Sequence, residues 1–203
     1  MHGGQGEKAA IRERIKALRD SLTAGQVAEA GQRVCDRLSR SPFLSEARIV
    51  CLYAGTGKEV PTAEVMSWLL ARGAAVAVPD WEGWKQGSGL RILQVSSPGD
   101  LQTAGRIVPQ PVDRPDSVMP IDKVEVFIVP GLAFDRTGAR IGMGGGFFDR
   151  LLALSSPKAT LVGIAHDFQV LSSLPVEGHD VPVHAVVTPS AAWDTRDLHK
   201  KED

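Results

Sequence analysis

VPGLAFDRTGARIGMGGGFFDRLLAL, running from Val129 to Leu154, passes from one apolar segment to another through a cluster of glycines. The run from Val124 to Val129 stops at Pro130 and predicts a buried strand, while Leu151, Leu152 and Leu154 predict an amphipathic helix. Between them stand Gly142, Gly144, Gly145 and Gly146, with Arg140 just before and Phe147-Phe148-Asp149-Arg150 just after. A glycine cluster that delivers the chain into a helix start can turn several backbone N–H groups towards one point. The positive end of the helix dipole adds to that field, so the shape suits an anion, above all a phosphate. The alternative is a turn in which glycine only relieves crowding. Arg140 and Asp149, flanking the cluster, favour the phosphate reading.

The 203 residues are expected to form a single domain, residues 1–203, with 1–6 and 191–203 as loose ends. The 43% hydrophobic and 23% charged content is that of a globular protein. Twenty-three basic and 24 acidic side chains give a net charge of -1, so no overall field draws in nucleic acid or an acidic membrane. Cys35 and Cys51 are too few for a disulfide framework. No run approaches the roughly 18 apolar residues of a membrane span, and Met1 leads into polar, glycine-rich residues. These features predict a soluble, cytoplasmic monomer with neither nucleic acid nor membrane as partner.

Outward from the central stretch, strands and helices alternate. Ile11, Ile15 and Leu18 recur at helical spacing from Glu7 onward, and Lys8 and Arg12 lie one turn apart, able to reach one partner. A solvated basic face is the competing reading of that pair. Thr23 with Gln26 has the capping-box pattern and opens a second helix that Ser41-Pro42 stops. Arg48 to Ala54 predicts a buried strand, Pro61 the first position of a helix, and Ala75 to Val78 a second strand. Trp81 and Trp84 are expected in a turn as hydrophobic cover, or stacked on a planar ligand. Leu90 to Val95 predicts an edge strand, the prolines from Pro109 to Pro120 an irregular connection, and Thr160 to Ala165 and Val183 to Thr188 the last strands. The alternation predicts an α/β fold with a mostly parallel central sheet flanked by helices.

Several chemistries are excluded by spacing. The glycines do not fit GxGxxG, because Phe147 stands where the third glycine belongs. Gly55-Thr56-Gly57-Lys58-Glu59 is not a P-loop, since Glu59 follows the lysine. No GxSxG or HExxH is present, and His166, His179 and His184 lack metal-site spacing with the cysteines. Asp149, Asp180, Arg140 and the Lys8/Arg12 pair remain. Carboxylates beside phosphates favour Mg2+, which takes one or two protein oxygens and keeps several waters.

The stretch VPGLAFDRTGARIGMGGGFFDR resembles the signature of the 5-formyltetrahydrofolate cyclo-ligases, or methenyltetrahydrofolate synthetases. In that family a PGLxFD stretch precedes G-x-R-L-G-x-G-x-G-Y-Y-D. Other landmarks fall in order: Lys8 with Arg12, Glu59-Val60-Pro61-Thr62, Val108-Pro109-Gln110-Pro111, and Pro175 through Asp180. The resemblance spans roughly residues 8 to 190. It implies a three-layer α/β sandwich like that of the NagB/RpiA/CoA transferase-like proteins, and an ATP- and Mg2+-dependent cyclisation of 5-formyltetrahydrofolate to 5,10-methenyltetrahydrofolate. By resemblance, Lys8, Arg12, Arg140, Ile141, Gly142, Met143, Gly144, Gly145, Gly146, Phe147 and Phe148 hold ATP. Ala54 and Glu59, with Met143 to Phe147, face the folate; Asp149 and Asp180 bind Mg2+; Arg140 and Glu59 are the catalytic pair. Phe147-Phe148 departs from the usual Tyr-Tyr, and Met143 stands where Arg or Tyr is common. A lost hydroxyl contact costs about 1–3 kcal/mol if its partner stays buried. The alternatives are a folate- or nucleotide-binding relative without cyclisation chemistry and a different small-molecule phosphotransferase.

Overall fold

The computed structural model describes residues 3–103, 108–111, 114–178 and 180–197; His179 and the chain beyond residue 197 lie outside the described residues. The chain opens with α1 (Gly3–Asp20) and α2 (Ala24–Ser39). Thr23 separates them. Its Oγ1 accepts the Gln26 N–H at 3.2 Å while Gln26 Oε1 accepts the Thr23 N–H at 2.8 Å, the expected capping box, contributing about 1 kcal/mol.

The next segment is β1 (Ile49–Leu52), α3 (Ala63–Ala71) and β2 (Ala75–Pro79), with β1 and β2 parallel and Val50 opposite Val76. There follow α4 (Trp81–Lys85), β3 (Ile92–Val95), and the short strands β4 (Leu101–Gln102), β5 (Gln110–Pro111) and β6 (Val118–Met119). The second half comprises β7 (Val126–Val129), β8 (Ala133–Asp135), β9 (Arg140–Ile141), α5 (Phe147–Leu152), β10 (Thr160–Ile164), β11 (Val170–Leu171), β12 (Ala185–Val187) and β13 (Ala192–Asp194).

The main sheet runs β13-β12-β10-β7-β1-β2-β3-β6, with a parallel centre and antiparallel strands at both edges. Side chains alternate across it, as the two-residue period of a strand requires. Val50, Leu52, Val76, Ile128 and Val162 pack with Val34 and Leu38 of α2 and Met66 and Leu69 of α3. Cys51, Ala77, Phe127, Val129 and Leu161 pack on the other face with Leu151 and Leu152 of α5. This gives the three-layer α/β arrangement. A smaller sheet, β11-β8-β9, forms a separate cluster with α1 through Ile15, Leu132, Ala133 and Ile141.

Local departures have local causes. Pro61 does not open α3; the helix starts at Ala63, and the Thr62 hydroxyl donates to the Tyr53 carbonyl at 2.7 Å instead of capping it. Trp81 and Trp84 lie on α4 rather than in a turn, because Asp80 Oδ1 accepts the Gly83 N–H at 2.8 Å and caps a short helix. β3 is not the edge, since β6 pairs outside it, and the proline-rich connection contributes both β5 and β6. Neither terminus is loose over its described part. Residues 3–6 belong to α1, and Ala192–Asp194 pairs with β12.

Just before β12, a titratable bond ties the chain to β10. His184 Nδ1 accepts the Leu161 N–H at 3.0 Å, so the ring must be neutral there. Burial and then Arg196 hold its pKa below the ordinary histidine value, against the pull of Asp194. A depressed folded-state pKa contributes stability above the ordinary value, near 6.5, that is lost as pH falls through it. Urea midpoints should therefore decline from pH 7 to pH 5. His184→Asn keeps an acceptor without titrating, so that decline should shrink; an unchanged decline would dismiss His184 as its source.

Candidate active site

Three cations of α1 share one face at spacings of four and seven residues: Lys8, Arg12 and Arg19. Ile15 on the same helix is fully buried against β8 and β9 and turns that face inwards. The solvated basic face is therefore ruled out. Lys8 is only 5% exposed, with Nζ 2.7 Å from Asp180 Oδ2 and 3.0 Å from Glu177 Oε2. Burial pulls the ammonium's pKa down, but the bonds to Asp180 and Glu177 outweigh it and leave the pKa raised. Arg12 Nε donates to the Gly142 carbonyl at 3.0 Å.

The glycine turn then leads from β9 into α5. Gly144 and Gly146 have φ of 102° and 66°, left-handed values that let the backbone fold back on itself, and Gly146 is the N-cap of α5. Arg12 takes the carbonyl of Gly142 and Arg150 Nη1 that of Gly145, at 2.9 Å. No N–H of residues 143–146 donates to another described residue. Cations thus occupy carbonyls while the amides stay available to a ligand. Phe147 is buried, its ring 5.0 Å from both Trp81 and Trp84.

Arg140 lies beneath this turn. Its Nη2 donates to Asp149 Oδ1 and its Nη1 to the Pro130 carbonyl at 3.4 Å, while the buried Nε has no partner among the described residues. Burial lowers the guanidinium's pKa, opposed by Asp149 and, more weakly, by Asp180. Both carboxylates therefore act on the same cation. Glu59 is held at another part of the cavity: Oε2 accepts the Thr56 N–H at 2.9 Å and the Thr56 hydroxyl at 3.2 Å, and Oε1 is 3.5 Å from Arg19 Nη1.

Lys8, Arg12, Arg140, Asp180, Glu59 and the glycines from Gly142 to Gly146 line one cavity of about 1280 Å³, as do Ala54, Ile141, Met143, Phe147, Phe148 and Asp149. Every site residue expected from the sequence is brought to it. Glu177, Tyr53, Glu82, Lys85 and Gln110 line it too and had no role assigned, nor had Arg19, which contacts Glu59; Trp81 also lines it. Arg19 was within reach, since it continues the helical spacing of Lys8 and Arg12; Glu177 carried no signal beyond its place in the late landmark.

The model of the 5-formyltetrahydrofolate cyclo-ligase family matches residues 4–189. The chain belongs to this family. The 5-formyltetrahydrofolate cyclo-ligase of Escherichia coli K12 is 34% identical over 89% of this chain and 99% of its own. That of Mycolicibacterium smegmatis is 35% identical over 87% and 91%. Among solved structures, the 5,10-methenyltetrahydrofolate synthetase of Aquifex aeolicus superposes with a TM-score of 0.80 at 28% identity, over 94% of this chain and 93% of its own. The synthetase of Mycoplasma pneumoniae, at 18% identity and a TM-score of 0.68, shares the fold.

Within this cyclo-ligase framework the carboxylates can be tested against a metal. No cluster of three or more His, Cys, Asp or Glu that could hold an ion exists among the described residues. Asp149 and Asp180 are instead paired with Arg140 and Lys8. That donor set fits Mg2+ arriving on a nucleotide, which needs only one or two protein oxygens, and does not fit a dedicated metal cage. Neither cysteine takes part: burial raises the Cys35 thiol to about 11 and Cys51 further. No helix is long and apolar enough to cross a membrane among the described residues.

Proposed function

We propose that the chain cyclises 5-formyltetrahydrofolate to 5,10-methenyltetrahydrofolate at the expense of ATP, with Lys8, Arg12, Arg140 and the amides of the glycine turn holding the triphosphate. What supports this reading is that Lys8, Arg12, Arg140 and the glycine turn, whose N–H groups from 143 to 146 donate to no other described residue, line one cavity. Glu59 lies beyond them. Arg19, which reaches Glu59, follows Lys8 by eleven residues, about 16 Å of helix. The cavity therefore has room for a phosphate chain at one end and a second substrate at the other.

The formyl oxygen attacks the terminal phosphorus, the bond to ADP breaks, and the oxygen becomes part of a phosphate leaving group. N10 of the folate then attacks the formyl carbon, loses its proton, and the C–O bond breaks to release phosphate. The protein's share is positioning and charge stabilisation. Arg140 and Lys8 bind the terminal phosphate, whose negative charge moves towards ADP and then towards free phosphate. Glu59 accepts N–H donors of the folate and fixes it against the phosphate; Ala54 and the residues from Met143 to Phe147 separate the two ligands from water. Asp149 and Asp180 would hold Mg2+, which supplies charge neutralisation across the phosphates. The monomer and the cytoplasmic setting remain part of this proposal.

Purified protein given 5-formyltetrahydrofolate and Mg-ATP should form methenyltetrahydrofolate, followed by its absorbance, with one ADP released per product. Folate binding without product would favour the binding-only relative that Phe147-Phe148 raises; ATP turnover indifferent to folate would mean a different phosphotransferase. Asp149→Asn keeps size and a hydrogen bond to Arg140 but loses the charge. It should reduce the Mg2+-dependent gain in ATP affinity about tenfold. An unaltered gain, in calorimetry with and without Mg2+, would remove Asp149 from the metal role.

A further inference from the structure

The carboxylate of Glu59 is held from two sides, by its own turn and by a helix that also carries the phosphate-binding cations. On the turn side, Thr56 donates both its N–H and its hydroxyl to Oε2. On the helix side, Arg19 Nη1 lies 3.5 Å from Oε1, with the two side chains only 12% and 17% exposed. Beside this pair the Lys58 ammonium donates to the Asp20 carbonyl, tying the end of α1 to the same turn, and His166 Nε2 meets the Lys58 carbonyl at 3.0 Å.

A free glutamate side chain has several rotamers, and a ligand that needs one of them loses affinity in proportion to its rarity. Here Oε2 is saturated by Thr56, and Oε1 carries one long contact. A carboxylate oxygen has about two acceptor sites, so Oε1 keeps capacity for a donor from the cavity that Glu59 lines. We propose that Arg19 is a positioning residue for the folate: it aims Glu59 Oε1 into the cavity without itself touching the ligand. This rests on the reading of Glu59 as a folate-holding group. It also makes α1 common to both substrates, since Lys8 and Arg12 sit two to three turns away on the same rigid helix.

The test is a kinetic cycle on the full chain, with the folate Kd measured without ATP as an independent readout. Glu59→Gln should raise KM and Kd for 5-formyltetrahydrofolate by about tenfold or more. Arg19→Met should raise both about fivefold while kcat and KM for ATP stay within about twofold, and Arg19→Lys should recover most of the loss. In the Glu59→Gln background, Arg19→Met should add almost nothing, because its effect passes through that carboxylate. If Arg19→Met does not fold, Arg19→Gln, which keeps a donor but no charge, carries the same expectation. Full additivity, equal effects on both substrates, or no effect in folded protein would overturn the inference while leaving the role of Glu59 intact. A Glu59→Gln chain with unchanged folate affinity would instead remove the reading on which it rests.

Discussion

Arg140→Met should lower kcat/KM for ATP by about a thousandfold, the largest loss expected from any single side chain of the site. The guanidinium is 7% exposed, and burial lowers its pKa against the pull of Asp149 and Asp180. Its Nε is buried with no partner among the described residues. Arg140 lines the cavity, and its attraction for a phosphate there grows as charge moves during transfer. Methionine fills much of the same volume but supplies no donor and leaves Asp149 facing an anion. Arg140→Lys retains the charge as a single point and loses the planar fork, so about a hundredfold loss is expected. The glycine turn rests on this guanidinium as well: a Cβ at Gly142 would lie 3.1 Å from Arg140 Nη1. Circular dichroism separates a catalytic loss from an unfolded chain. A folded Arg140→Met protein with ordinary ATP kinetics would dissociate Arg140 from the phosphate.

Much of this architecture was legible because strands and glycines leave local signatures. β1, β2, β7 and β10 are short apolar runs bounded by turn residues, and burial on both faces of a parallel sheet demands such runs. The capping box of α2 is a four-residue pattern and needs no tertiary information. The turn after β9 could be read because four glycines between charged residues have few other uses. Features that depend on distant partners were not legible. α4 exists because Asp80 is committed to its first turn, and the sequence alone shows only two tryptophans among glycines. β13 survives in a charged tail because β12 offers an edge to pair with. Pro61 fails to start α3 because the preceding backbone is tied through Thr62 to Tyr53. Lys8 and Arg12 could equally have faced water; only the burial of Ile15 on the same helix turns them inwards. Likewise, nothing in the spacing of Glu177, Asp180 and Lys8 announces that they meet across more than 160 residues.

That meeting yields the second large effect: Lys8→Met should raise KM for ATP about a hundredfold and KM for the folate less than about twofold. In the ligand-free protein the ammonium is shared between Asp180 at 2.7 Å and Glu177 at 3.0 Å, and these carboxylates keep it charged despite burial. An incoming phosphate can compete for it. Without it, the same phosphate loses one cation and meets Asp180 and Glu177 with less positive charge between them, so the substitution removes an attraction and strengthens a repulsion together. Unit charges about 4 Å apart interact by roughly 4 kcal/mol at an effective dielectric constant of 20; partial exposure of Glu177 and Asp180, at 35% and 15%, screens part of that. A hundredfold change is about 2.7 kcal/mol, within this range. The two contributions can be separated. Asp180→Asn in the Lys8→Met background relieves the repulsion and should restore part of the ATP affinity when Mg2+ is absent. With Mg2+ present the restoration should be smaller, because the carboxylate lost is one that would hold the metal. Equal restoration in both conditions would remove Asp180 from the metal role, and a folate KM that rises more than the ATP KM would reassign the Lys8 end of α1 to the other substrate.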